Sequence, residues 1–200
     1  MALYTPEHFG GDEPAALQII QDYPFATLVT SLDGQEPQFT YLPMFMEEGA
    51  LWGHVAKPNP HWRRFAQGRT YALFQGPHAF VSPGWYAKPS GNVPTWNYAA
   101  VHVHGQPEIL NEAGARHVVK QLTARFDQGK QFTDPEKVES LLKGIVAFRI
   151  PIIWAKSKFK MSQNKSEADR AGVIAGLRAT GRPEDRAVAD WMEKHGAKQN

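Results

Sequence analysis

Two hundred residues, 42% hydrophobic and 12% aromatic, supply core for one domain, or for one domain with a helical appendage. Twenty-two Lys and Arg against 20 Asp and Glu leave a net charge of only +2, and no basic run marks a nucleic-acid surface. The absence of cysteine excludes disulfides, thiolate metal sites and a cysteine nucleophile.

Residues 14–21 (PAALQIIQ) predict a short helix with Pro14 in its first turn, stopped by Pro24. FATLVTSL and QEPQFTYLPMFM flank Asp33-Gly34, a pair suited to the positive φ angles of a two-residue hairpin turn. Pro37 and Pro43 confine the second arm to an edge or a bulged strand. Glu48-Gly49 predicts another turn, then ALWGHVA a strand. From Asn59 to Gly68 the order Asn, Pro, helix formers, Gly spells a capped short helix. RTYALFQG and HAFVS read as strands, then a Pro/Gly-rich loop, then TWNYAAVHVHG and PEIL as two more.

A helix is expected over about 112–127, capped by Asn111, with Ala115, Val119, Leu122 and Phe126 on its inner face. A second follows Asp134-Pro135 and closes at Gly144, and IVAFRIPIIWA with SKFKMSQ returns to strand. Two helices end the chain. One starts at Ser166, where Ser166 to Asp169 approximates a capping box. The other spans about 183–195, with Val188, Trp191 and Met192 on a stripe and Gly196 after it. Seven or eight short strands with few helices indicate a mainly β protein, an antiparallel barrel with flanking helices, rather than regular βαβ units. The domain expectation is residues 1–180 as the barrel and 181–200 as a helical extension. No stretch reaches the ~18 apolar residues of a membrane span, and the N-terminal segment lacks a signal-peptide layout, so the expected location is the cytoplasm.

Three segments could carry chemistry. In GHVAKPNPHW, His54 and Lys57 lead to a helix start at Asn59, which is either a phosphate cradle or simply a well-capped helix with an exposed lysine. In the aromatic strands, alternation sends Trp96, Tyr98, His102 and His104 to one face and Asn97, Val101 and Val103 to the other. That face is either a stacking surface for a flat ligand or a barrel wall. His102 and His104 lack a third ligand, so no metal site is expected. After the last strand, Ser162, Gln163 and Asn164 either meet a ligand's polar edge or turn the chain. No nucleophile elbow, Walker loop, GxGxxG or HExxH is present, so any chemistry would be a cofactor's.

Taken together, PFATLV, GHVAKPNPHW, FQGPHAFVSPGWY, VPTWNYAAVHVHG and KMSQN…DRAGVIAGL resemble the PaiB family of FMN-binding negative transcriptional regulators, from about residue 4 to 177. The resemblance implies an FMN-binding split barrel related to pyridoxamine-phosphate-oxidase-like flavoproteins, a homodimer, and FMN at the subunit interface. By position, Lys57 and Asn59, with His54 beside them, match the residues expected at the FMN phosphate. Trp96, Asn97, Tyr98, Ser162, Gln163 and Asn164 are family motif residues inferred to face the flavin. Regulator status implies DNA, yet the charge pattern offers only the stretch around Arg178 and Arg182. The alternatives are a flavin-dependent oxidoreductase with no DNA contact and, third, a haem-handling relative using His102 or His104.

Overall fold

The structure is a computed structural model and describes residues 3–88, 91–127 and 135–195. Helix α1 (Glu13–Asp22) starts where Asp12 accepts from the Ala15 amide at 2.8 Å. Strands β1 (Phe25–Ser31) and β2 (Gln38–Pro43) pair antiparallel, from Phe25 opposite Pro43 to Thr30 opposite Gln38. The expected hairpin is there, but its connection takes all of residues 32–37 rather than two. Gly34 supplies the left-handed backbone (φ 74°). Pro37 has no N–H to extend the ladder, and the Glu36 carbonyl is taken by Arg64 Nη1 at 2.6 Å.

After Pro43 the chain restarts as β3 (Phe45–Glu47), which pairs with β4 (Ala50–Ala56) across Glu48-Gly49. Both turn residues have positive φ, 49° and 72°, as a tight hairpin of that hand demands. The segments around Gly76-Pro77 form one strand, β5 (Arg69–Val81), whose in-out alternation slips where those two residues are both buried. β6 (Thr95–Gly105) alternates without a break. β7 (Glu108–Ile109) precedes α2 (Glu112–Phe126), then α3 (Pro135–Lys143) and the long β8 (Ile145–Lys160). Helices α4 (Glu167–Ala179) and α5 (Pro183–His195) follow; Gly196, expected to end the last helix, lies outside the described residues. The strand order is β2-β1-β5-β6-β8-β4-β3, with β7 on β8, so β2, which ends at Pro43, is an edge strand.

The chain divides into two compact units. The larger holds residues 20–74 and 102–155. Leu28, Leu51, Phe74, Phe148 and Ile150 are fully buried in it, and Phe65 meets Phe148 edge to face at 4.8 Å. Within this unit β2 returns to β4, so that a Cβ on Gly53 would lie 3.2 Å from Leu42. A second cluster sits under α2 and α3: Phe45, Ala115, Val118, Leu122, Leu142 and Ala147. The inner face of α2 therefore runs through Val118. Val119 is only partly buried and Phe126 is 51% exposed, because the stripe follows i, i+3, i+7 from Ala115.

The smaller unit holds residues 3–19, 75–88, 91–101 and 156–195 of the described chain. Val173 and Leu177 of α4 and Val188, Ala189 and Met192 of α5 are buried. Gly172 and Gly176 let α4 lie directly on Trp85, since a Cβ at either position would fall within 2.3 Å of it. Ser166 caps α4 by accepting from the Asp169 amide at 3.2 Å. The last helix thus packs into this unit, with Trp191 on Phe159 at 5.7 Å. Among the described residues no helix is long and apolar enough to cross a membrane.

Candidate functional site

In the larger unit the chain leaves β4 at Ala56 and turns through Lys57 to Asn59. The helix expected there is a five-residue 3-10 turn, Pro60–Arg64. Pro60 has no N–H, and the His61 amide is taken by Asn59 Oδ1 at 3.0 Å. So short a turn has little dipole, and its first free amide is already satisfied, so an anion here depends on side chains instead.

Asn59 is held from its other end as well, for its Nδ2 donates to Thr40 Oγ1 at 3.1 Å. That bond opens a buried polar chain the sequence did not reveal. His61 is 0% exposed, with Nδ1 2.7 Å from Thr40 Oγ1 and Nε2 2.8 Å from Thr30 Oγ1, which in turn lies 2.8 Å from Thr70 Oγ1. Thr40 accepts from Asn59 and keeps its own hydrogen to give to His61 Nδ1. His61 Nε2–H then donates to Thr30, and Thr30 to Thr70. This arrangement needs a neutral imidazole. Burial, helped by the nearby Arg64 charge, lowers the His61 pKa to about 4. The signal for the chain was present in the inward threonines of three strands, but their linkage through one imidazole is a tertiary fact.

Lys57 is exposed; its amide donates to the Gly144 carbonyl at 2.8 Å and its carbonyl accepts from Trp62 Nε1 at 3.1 Å. These bonds fix the backbone and leave the ammonium unpaired among the described residues. Lys57 and Trp62 stand at a groove of about 430 Å³, with Leu110, Asn111, Leu142 and Ala147 among its walls. The groove's carboxylates, Glu112 and Glu139, are both engaged by Arg116, at 3.0 and 2.5 Å.

His54 sits on β4 opposite Ala147 in β8, so it neighbours the groove wall. Its Nδ1 is shut from solvent with no hydrogen-bond partner among the described residues, and burial lowers its pKa. A buried polar atom left unpaired is costly unless something arrives to pair it. A free ammonium and an indole rim at the groove suit a ligand that brings a phosphate together with a flat ring. FMN is such a ligand, and the residues present fit it.

The other six expected residues lie in the smaller unit. Trp96 is 51% exposed, near His78 (6.2 Å) and Phe80 (6.3 Å). Tyr98 is half-buried with the Lys158 ammonium 5.7 Å from its ring centre. Asn97 is fully buried: Nδ2 donates to Ser162 Oγ at 3.0 Å and to Met192 Sδ at 3.3 Å, and Ser162 Oγ donates back to Asn97 Oδ1 at 3.2 Å. Ser162 holds φ 60°, a left-handed backbone that costs a non-glycine residue energy and that this pairing stabilises. Gln163 closes the same turn, donating to the Phe159 carbonyl and accepting from the Met161 amide. Asn97 and Gln163 thus spend their amides on the fold, whereas Asn164 lines a cavity of about 230 Å³. His102 and His104 lie half-buried on the outward face of β6. His104 Nδ1–H donates to the Thr70 carbonyl at 2.8 Å, and its ring stands 4.9 Å from Tyr71 and 5.4 Å from Trp154.

Comparison with known proteins adds a lineage to this geometry. Residues 3–153 match the family described as "Putative FMN-binding domain". The chain is 34% identical to "Protease synthase and sporulation protein PAI 2" of Bacillus subtilis, over 98% of its own length and 100% of that protein's. Among solved structures it is similar to the FAD and haem binding protein of Mycobacterium smegmatis. The TM-score is 0.61 at 16% identity, covering 82% of this chain and 78% of the other. It is also similar to the flavocytochrome Anf3 of Azotobacter vinelandii, with a TM-score of 0.59 at 14% identity, covering 74% and 67%. At such identities the likeness is one of fold: a mainly β split-barrel architecture with flanking helices.

Proposed function

The chain belongs to the PaiB family and carries an FMN-binding domain, and on that premise we propose that the larger unit holds FMN with its phosphate on Lys57. His54 Nδ1 pairs with a phosphate or ribityl oxygen, and Asn59 shapes the corner through its bonds to Thr40 and His61. The single observation that carries this reading is the Lys57 ammonium, unpaired among the described residues, at a groove of about 430 Å³. A groove of that size is in the usual range for a small-molecule site. When bound, FMN supplies one- or two-electron redox chemistry. The chain's own residues bind and orient it: Trp62 anchors the Lys57 carbonyl, and the neutral His61 chain holds Asn59 in place.

The protein, on this reading, is a cytoplasmic flavoprotein whose negative regulatory role runs through its flavin and a partner rather than through DNA. The charge arrangement supports the indirect route. Arg178 is paired with Asp190 and Glu193 at 2.9 and 2.8 Å, and Arg182 with Asp185 at 2.7 Å, so the basic stretch near the end of the chain is neutralised. A homodimer is supported by an exposed aromatic row on the β1–β2 hairpin, Phe25, Phe39 and Tyr41, each more than half exposed. Contiguous exposed apolar surface of that kind marks an interaction face.

Parallel titrations with FMN and riboflavin test the site. The wild type should bind FMN more tightly than riboflavin, and Lys57→Gln should weaken FMN about ten- to hundredfold, the usual worth of a charge-assisted bond, while riboflavin is unaffected. Equal weakening for both flavins would move the phosphate away from Lys57. No flavin uptake at about 100 µM would overturn the reading altogether.

A further inference from the structure

The cavity of about 230 Å³ in the smaller unit is walled by Phe9, Tyr86, Thr95, Asn164 and two lysines, Lys160 and Lys165. Lys160 is partly buried, and its ammonium donates to Thr95 Oγ1 at 2.5 Å and to the Trp96 carbonyl at 2.7 Å. Both acceptors are neutral, which leaves the charge uncompensated and one N–H free. Lys165 donates to Asn92 Oδ1 at 2.8 Å and lies 4.9 Å from the centre of the Tyr86 ring, with two N–H groups to spare. Among the described residues neither lysine makes an ion pair. Asp169, the carboxylate whose charge reaches Tyr86, is bound to the Ala87 amide at 2.9 Å.

Gathering ammonium groups in a half-buried wall without a counter-charge is unfavourable. Desolvation, together with repulsion from Lys158 and Lys165, lowers the Lys160 pKa accordingly. An anion would relieve that repulsion and use the spare donors. Two aromatic walls leave room for an apolar body, and the volume is about half that of the larger unit's groove and below the range that takes a drug-sized ligand.

We propose that this cavity is a separate binding site for a small organic oxyanion, with its charged head between Lys160 and Lys165 and its apolar body against Phe9 and Tyr86. The site uses none of Lys57, His54 and Asn59, though it takes in Ser162 and Asn164, which the family resemblance places at the flavin, so competition with FMN belongs to its test.

Calorimetric titration of the full chain with two probes, sodium benzoate and inorganic phosphate, tests it. At least one should bind, and the tighter of the two identifies the head group as carboxylate or phosphate. Lys160→Gln and Lys165→Gln should each weaken that binding about ten- to hundredfold. Lys120→Gln, an exposed lysine of α2, should leave it unchanged. Lys165→Gln keeps the test open should Lys160→Gln fail to fold. Absence of binding by either probe at about 10 mM, or an affinity in Lys165→Gln within about twofold of wild type, would overturn the proposal. Saturation with FMN should not alter the probe's affinity; displacement by FMN would show that the cavity belongs to the flavin and would likewise overturn it.

Discussion

Two buried polar constellations, one from each unit, solve the same problem with different chemistry. In the larger unit, a chain runs from the Asn59 amide through Thr40, His61 and Thr30 to Thr70, with His61, a group that can gain a proton, at its middle. In the smaller unit, Asn97 and Ser162 satisfy one another beside Met192, and the Tyr86 hydroxyl that also meets Ser162 has its pKa raised by burial, so no member of the set gains or loses a proton between pH 4 and 7. Both obey the rule that buried polar groups are paired. The difference is that the first is a pairing only while His61 stays neutral, so the larger unit carries a built-in sensitivity to acid that the smaller pair lacks.

The largest expected effect tests that sensitivity. His61 has a folded pKa of about 4 against an ordinary 6.5, so below pH 6.5 the unfolded chain takes up a proton that the folded chain refuses. Its contribution is therefore complete above pH 6.5 and declines as the pH falls towards 4. The decline is on the order of 3 kcal/mol at the acid end, from a shift of about 2.5 units at 1.36 kcal/mol each. Urea denaturation from pH 7 to pH 4 should show it, and His61→Gln should flatten it by about that amount despite a lower stability at pH 7. An unchanged slope in His61→Gln would place the acid sensitivity elsewhere and break the contrast.

On the other side, Asn97→Ala should cost about 2 kcal/mol, the usual penalty for stranding a buried partner, here Ser162 at its left-handed φ. The cost should be the same at pH 7 and pH 5, measured by the same denaturation. A cost under about 0.5 kcal/mol would mean that the pair is not what holds the turn at Ser162.

This contrast also marks how far the sequence could be read. Strand positions were legible because their in-out alternation is local, as in β6, where Asn97, Val101 and Val103 face inward as expected. Caps were legible for the same reason: Asn59, Asn111 and Ser166 each bond within a few residues. The length of the β1–β2 connection was not, because the Asp33-Gly34 signal says nothing of a ladder that Pro37 cuts short. Nor was the shift of the buried α2 stripe to Val118, which depends on how the helix rolls onto Phe45 and Ala147. The site followed the same divide. Lys57, His54 and Asn59 were proposed from a contiguous motif, whereas His61 read as an ordinary helix residue, since Thr30 and Thr40, the first backed by Thr70, reach it from other strands. The polar run after β8 was legible only as polar. The sequence did not show that Gln163 bonds the chain's own backbone, or that Ser162 both pairs with Asn97 and lines the cavity of about 230 Å³.

The smallest expected effect lies at the surface, where pairing should matter least to stability and most to function. Arg178 bridges α4 to Asp190 and Glu193 of α5, and all three side chains are close to half exposed or more. Solvent screens such pairs, while Val173, Leu177, Val188 and Met192 already bind the two helices together by burial. Arg178→Ala should therefore cost no more than about 0.5 kcal/mol, and less at high salt. The same variant examines the regulatory reading, because an arginine held by two carboxylates is a poor phosphate ligand. Wild type and Arg178→Ala should behave alike in a gel shift against promoter fragments. Salt-dependent binding that the substitution abolishes would mean that the ion pairs open to receive DNA, since each phosphate no longer neutralised by an arginine should reduce the salt slope by about one. The smaller unit would then owe its basic residues to nucleic acid rather than to the packing of α4 on α5.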